Sequence, residues 1–106
     1  MIRDIPKEDW QDFLISFSRL HSNWLVDVDF EEVRLLQTPL EELTIAGSEV
    51  HLKAGETTIK IQKPLQIRLQ QTEKGEDEAL EIAGPQEVCR IRFRSPILPE
   101  LVDGVP

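Results

Sequence analysis

At 106 residues with 40% apolar side chains, the chain has material for one compact domain with its own core, without metal or disulfide support. Its 20 acidic against 12 basic side chains give a formal charge of -8, which opposes nucleic acid and anionic membranes as partners. A single cysteine rules out an internal disulfide, MIRDIPKEDW lacks the apolar centre of a signal peptide, and no apolar run is longer than Trp24-Leu25-Val26, which together point to the cytoplasm.

The first periodic segment is PKEDWQDFLISFSRLHS, for which a helix over about 6–22 is expected. Trp10, Phe13, Leu14, Phe17 and Leu20 recur at the spacing of one helical face. Pro6 suits the first turn, where its missing N–H is not needed. Glu8 and Asp9 lie near the positive end of the helix dipole, with Arg19 and His21 near the negative end.

From Trp24 onward the period changes from 3.6 to 2. Trp24, Val26, Val28 and Phe30 alternate with Asp27 and Asp29, the pattern of a half-buried strand over about 23–30. The same alternation predicts strands over about 43–53, 57–62, 64–71, 78–83 and 87–94, with Leu65, Ile67 and Leu69 inward on one of them. Ala54-Gly55-Glu56, Lys63-Pro64, Lys74-Gly75-Glu76 and Gly84-Pro85 supply turns. Residues 31–47 read as an edge strand or loop around Pro39, then a short strand from Leu43. In the proline-rich tail over 95–106, Ile97, Leu98, Leu101 and Val102 are expected to pack as a clasp. The expected architecture is a single α+β domain, 1–106: an N-terminal amphipathic helix packed on a roughly six-stranded antiparallel meander.

IPKEDWQDFLISFSRLHSNWLV, IRLQQTEKGEDEALEI and RFRSPILPELVDG together resemble a family of small bacterial proteins described as a domain of unknown function. The resemblance spans nearly the whole chain, with residues 31–63 matching least distinctly. It implies a bacterial, cytosolic, stand-alone protein and brings no activity or catalytic residue with it.

QQTEKGEDEALEI (70–82) holds five acidic side chains, Glu73, Glu76, Asp77, Glu78 and Glu81. Their spacing is not that of a calcium loop, and Gly75 comes too early for one. Pairing Leu69 with Leu80 and Ile67 with Ile82 makes the segment a hairpin whose charges are hydrated at its tip. Continuing that register pairs Leu80 with Ile91 and Ile82 with Cys89, and sets Glu81 between Arg68 and Arg90. The outer face then displays Gln66, Arg68, Gln70, Arg90, Arg92 and Arg94 around one glutamate, a locally basic surface on an acidic protein. Cys89 has the parity of Ile91 and Phe93 and points inward as an inert thiol. His51 falls on the wet face, so neither a Cys–His pair nor a zinc site forms. Neither a P-loop nor GxGxxG is present.

These features favour a small non-catalytic protein-interaction module, docking a protein partner or itself through Arg68, Arg90, Arg92, Arg94, Gln66 and Gln70. The alternative is a small-ligand binder with an apolar pocket between helix and sheet, lined by Trp10, Phe13, Phe17 and Trp24. A carboxylate enzyme using Asp27 and Asp29 ranks third. No metal, cofactor, nucleic acid or membrane enters any of these readings.

Overall fold

The computed structural model describes residues 1–95, so the clasp expected over 95–106 lies, apart from the backbone of Ser95, outside them. One N-terminal helix packs on an eight-stranded antiparallel sheet, an α+β fold. The strands are β1 (Ile2–Asp4), β2 (Leu25–Phe30), β3 (Val33–Ala46), β4 (Glu49–Ala54), β5 (Thr57–Gln62), β6 (Gln66–Gln71), β7 (Asp77–Ala83) and β8 (Val88–Ser95). A single 3-10 turn, Lys7–Asp9, leads into α1 (Trp10–Leu20). The spatial order is β1-β6-β7-β8-β2-β3-β4-β5.

The expected six strands become eight for two physical reasons. β1 is only three residues, all exposed, and carries no alternation to read. The segment 31–47, expected as an edge strand or loop around Pro39 and then a short strand, holds all of β3, one 14-residue strand that changes partner midway. Its first half pairs with β2 and its second with β4, and the expected strand 43–53 divides at the Gly47 turn (φ +62°).

Two irregularities bend β3. Between the Val26–Thr38 and Val28–Leu35 pairs β3 holds an extra residue, and Gln37 there is left-handed (φ +48°). The Asp27 carboxylate accepts the Gln37 backbone N–H at 2.8 Å, fixing the bulge. A second shift follows between Leu40 and Glu42. Asp27→Ala is expected to cost about 2 kcal/mol in urea unfolding, the range of a charge-assisted hydrogen bond, with Asp27→Asn milder because an acceptor survives. Equal stability of all three proteins would show the bend is held by other contacts.

Past that bend, β3 has lost β2 as a neighbour, and α1 takes its place. The Ser18 hydroxyl accepts the Leu43 N–H at 3.1 Å, and the Trp24 carbonyl accepts that of Leu40 at 2.8 Å. Backbone donors at this edge are thus satisfied by the helix and its exit loop. The two ends of the sheet also approach each other. β5 passes to β6 through 63–65, and a side chain on Gly84, just after β7, would lie 3.3 Å from the Gln62 carbonyl oxygen of β5.

The sheet therefore folds around one core. Trp10, Leu14 and Phe17 of α1 meet Val26, Leu43, Leu52, Ile61, Ile67, Leu80 and Ile91 in one cluster. The inward register of β6, β7 and β8 is as expected, pair for pair, including Leu69–Leu80, Ile82–Cys89 and Glu81–Arg90. Leu65 departs from it. It belongs to the link rather than the strand, and it is 68% exposed.

Candidate functional site

The arginine face forms, but its charge differs from expectation. Strand order places β1 beside β6 and β2 beside β8, so carboxylates from both join the arginines. Asp4 accepts from Arg68 at 3.3 Å and from Gln66 at 2.7 Å. Arg90 donates to Glu81 at 2.6 Å and to Gln70 at 3.1 Å. Arg94 lies 3.7 Å from Asp27, and Asp29, opposite Arg90 on β2, pairs with Arg34 at 3.0 Å. The locally basic surface is a charge-balanced lattice of cross-strand pairs. Arg92 is exposed and, among the described residues, the one arginine of the row without an ion pair.

The four aromatic residues expected to share a pocket are not brought together around a void. Phe17 is buried against Phe13 (ring centroids 5.1 Å) and Phe93 (5.2 Å), and these contacts fill the space between helix and sheet. Trp10 and Trp24 lie toward opposite ends of the helix and line two separate surface clefts.

At the C-terminal end is an arrangement with no local signal in the sequence. His21 follows the helix as expected but is 3% exposed. Its Nδ1 lies 2.9 Å from the Phe17 carbonyl and its Nε2 3.0 Å from an Asp77 carboxylate oxygen. The ring is enclosed by Phe17 (4.1 Å), Trp24 (4.7 Å) and Phe93 (4.7 Å). Both ring nitrogens face oxygen atoms, one from the helix backbone and one from the hairpin.

Asp77 was expected among hydrated charges at the hairpin tip. Instead one of its oxygens faces His21 and the other accepts from Gln71 at 2.9 Å, tying the tip of the β6–β7 hairpin to the helix end. The tip itself is a turn: Gly75 is left-handed (φ +86°), and Thr72 accepts the backbone N–H groups of Gly75 and Glu76. No group of three or more candidate metal ligands occurs among the described residues.

Cys89 is fully buried, and its thiol is pushed up to about 12 by burial, with the Asp29 carboxylate adding to it. It is expected to resist a thiol reagent in the native protein and react fully on unfolding. An unfolded thiol ionises near about 8.5 while the folded one keeps its proton, so stability present below that pH falls as pH rises toward 12. Cys89→Ala is expected to flatten this alkaline slope in urea titrations. Rapid native labelling would contradict the assignment.

Both members of the carboxylate pair make structural contacts. Asp27 holds the β3 bulge and Arg94, and Asp29 holds Arg34. A perturbed carboxyl lies elsewhere: Glu87, in the β7–β8 turn, is raised by burial and then by a hydrogen bond and like charge from Glu31. These two groups come from adjacent turns and meet only through the β2–β8 pairing.

The remaining feature is a half-open cleft of about 720 Å³ where the entrance to α1 meets the β3–β4 turn and the β5–β6 link. Trp10 and Ile45 form its apolar floor, Leu65 one wall, and Lys7, Lys63 and Ser48 its rim. The indole N–H of Trp10 donates to the Ile5 carbonyl at 2.8 Å, so the ring is locked and offers the cleft carbon surface only. Lys63 is left-handed (φ +50°), and its N–H bonds the Ser48 carbonyl at 2.7 Å, joining two of the walls. Among the sequence-derived candidates only Trp10 lines it. The others come from three turns whose meeting no local pattern announces. No family model, curated protein or solved structure matches the chain.

Proposed function

We propose that this chain is a non-catalytic binding module, and that its ligand seat is the cleft beside Trp10 rather than the arginine face. The observation that carries this reading is Leu65. An apolar side chain 68% exposed in a cleft of about 720 Å³, set beside Trp10 and Ile45 and among Lys7, Glu8, Gln11, Ser48 and Lys63, offers carbon surface together with polar groups that can orient a small molecule. Catalysis finds less support, because Cys89 is sealed in the core and Asp27 and Asp29 are engaged structurally. No helix among the described residues is long and apolar enough to cross a membrane, and a single buried thiol suits the reducing cytoplasm of a bacterium.

The test is a thermal-shift and Trp-fluorescence screen of small amphiphiles against the native chain and Leu65→Glu. Hits that raise the melting temperature of the native chain and are lost in the variant support the seat. Hits that persist in Leu65→Glu, or no hit at all, refute it.

A second reading keeps the outer face as a docking surface for an acidic protein or a second copy. Arg92, exposed and without an ion pair among the described residues, favours it. Pull-down with Arg90, Arg92 and Arg94 changed to Glu addresses that reading. Unchanged partners and oligomeric state would dismiss it.

A further inference from the structure

The cleft's rim specifies more than apolar character. Lys7 and Lys63 line it from two different elements, one from the turn that starts the helix and one from the β5–β6 link. Neither lysine has an ion-pair partner among the described residues, so both ammonium groups are available to a ligand, as are those of other exposed cations such as Lys60 and Lys74 elsewhere on the surface. Glu8 also stands at the rim, so the local balance is two positive charges against one negative where the whole molecule carries -8. The Ser48 hydroxyl adds a neutral polar group on the same side as the Lys63 link.

Resting on the reading of the cleft as a ligand seat, we propose that its ligand is a small amphipathic anion. The carboxylate or phosphate head is held between Lys7 and Lys63, and the hydrocarbon lies on Trp10, Ile45 and Leu65. Lysine suits this task because an ammonium on a flexible stem is a mobile point charge that accepts either head group without a fixed fork geometry. The Trp10 indole is 5% exposed, so it offers the hydrocarbon only a rigid apolar edge beside Ile45 and Leu65, and its N–H, already bonded inside the fold, competes for no polar group. Net negative charge elsewhere disfavours loose association of anions, so binding depends on these two side chains.

The experiment measures binding by titration calorimetry with four probes that share one tail: octanoate, octyl phosphate, octylamine and octanol. The proteins are the native chain and Lys7→Gln/Lys63→Gln, exposed positions where the change leaves the core intact. A Trp24→Phe background leaves Trp10 as the sole tryptophan reporter. Expected are binding of at least one of the two anions with a Trp10 emission change, preference over octanol and octylamine, and loss of about tenfold in anion affinity in the double variant. Octanoate and octyl phosphate differ only in head group, so their ranking assigns carboxylate or phosphate. If octanol or octylamine binds as tightly as the anions, or the double variant keeps full anion affinity, the proposed head-group site is overturned while the cleft survives as an apolar seat. If no probe binds, both readings fall.

Discussion

His21→Ala is expected to lower the free energy of unfolding by about 3 kcal/mol or more, a large share of the 5–15 kcal/mol available to a domain of this kind. The ring is 3% exposed and touches three aromatic side chains, so its removal opens a cavity among Phe17, Trp24 and Phe93. It also removes the two ring nitrogens that face the Phe17 carbonyl and Asp77, although the backbone N–H of residue 21 still reaches that carbonyl and Gln71 still reaches Asp77. His21→Phe separates the two contributions, since it keeps an aromatic ring and loses both ring nitrogens. It is expected to fall between native and Ala, and a double-mutant cycle with Asp77→Ala should return about 1–2 kcal/mol of coupling. Urea unfolding read by tryptophan emission measures all of these. If His21→Phe matches the native protein, the hydrogen bonds contribute nothing and the ring acts only by its volume.

Trp10→Ala is expected to cost about 3–5 kcal/mol, the usual range for deleting a large buried aromatic. The indole anchors the entrance of α1 in the core, and its N–H reaches back to the Ile5 carbonyl at 2.8 Å, on the segment that continues β1 into the helix. Losing it frees both the helix start and the edge strand. Trp10→Phe retains most of the volume and removes the donor, so it should cost about 1–3 kcal/mol through the unpaired carbonyl. Trp10→Ala should also abolish binding in the cleft, whereas His21→Ala, at the far end of the helix, should leave that binding intact in the fraction that remains folded. Equal loss of binding in both would mean that the cleft does not depend on Trp10 directly.

What could be read from the residues followed parity. Where pairing keeps its register, as in β6 from Gln66 to Gln70 with β7 and in β7 with β8, alternation yields the inward side chains, the cross-strand partners and the buried Cys89. Parity fails in β3 because its two bulges each insert a residue, so the burial pattern there never settles into a period of two. Leu65 was misjudged for a related reason: its apparent place in an alternating run is cut by the link before β6. The charge of the outer face depended on strand order, which set Asp4 and Asp27 beside the arginines and which alternation does not encode. His21 and Asp77 are joined only by tertiary packing, and the cleft only by the meeting of three turns.

The order in which the strands find their neighbours bears on how the chain is made. Asp4 pairs with Arg68, 64 positions later, and Leu25 pairs with Ser95. During translation β1 emerges long before its partner β6, and β2, though β3 follows it directly, waits for β8 on its other edge, so early hairpins such as β2–β3 and β4–β5 can close while apolar surface on the helix and on β2 stays uncovered. The native interior is completed only when β8 slots between β7 and β2. A ribosome stalled short of that strand therefore presents a sticky nascent chain, the state in which a holding chaperone has most to grip.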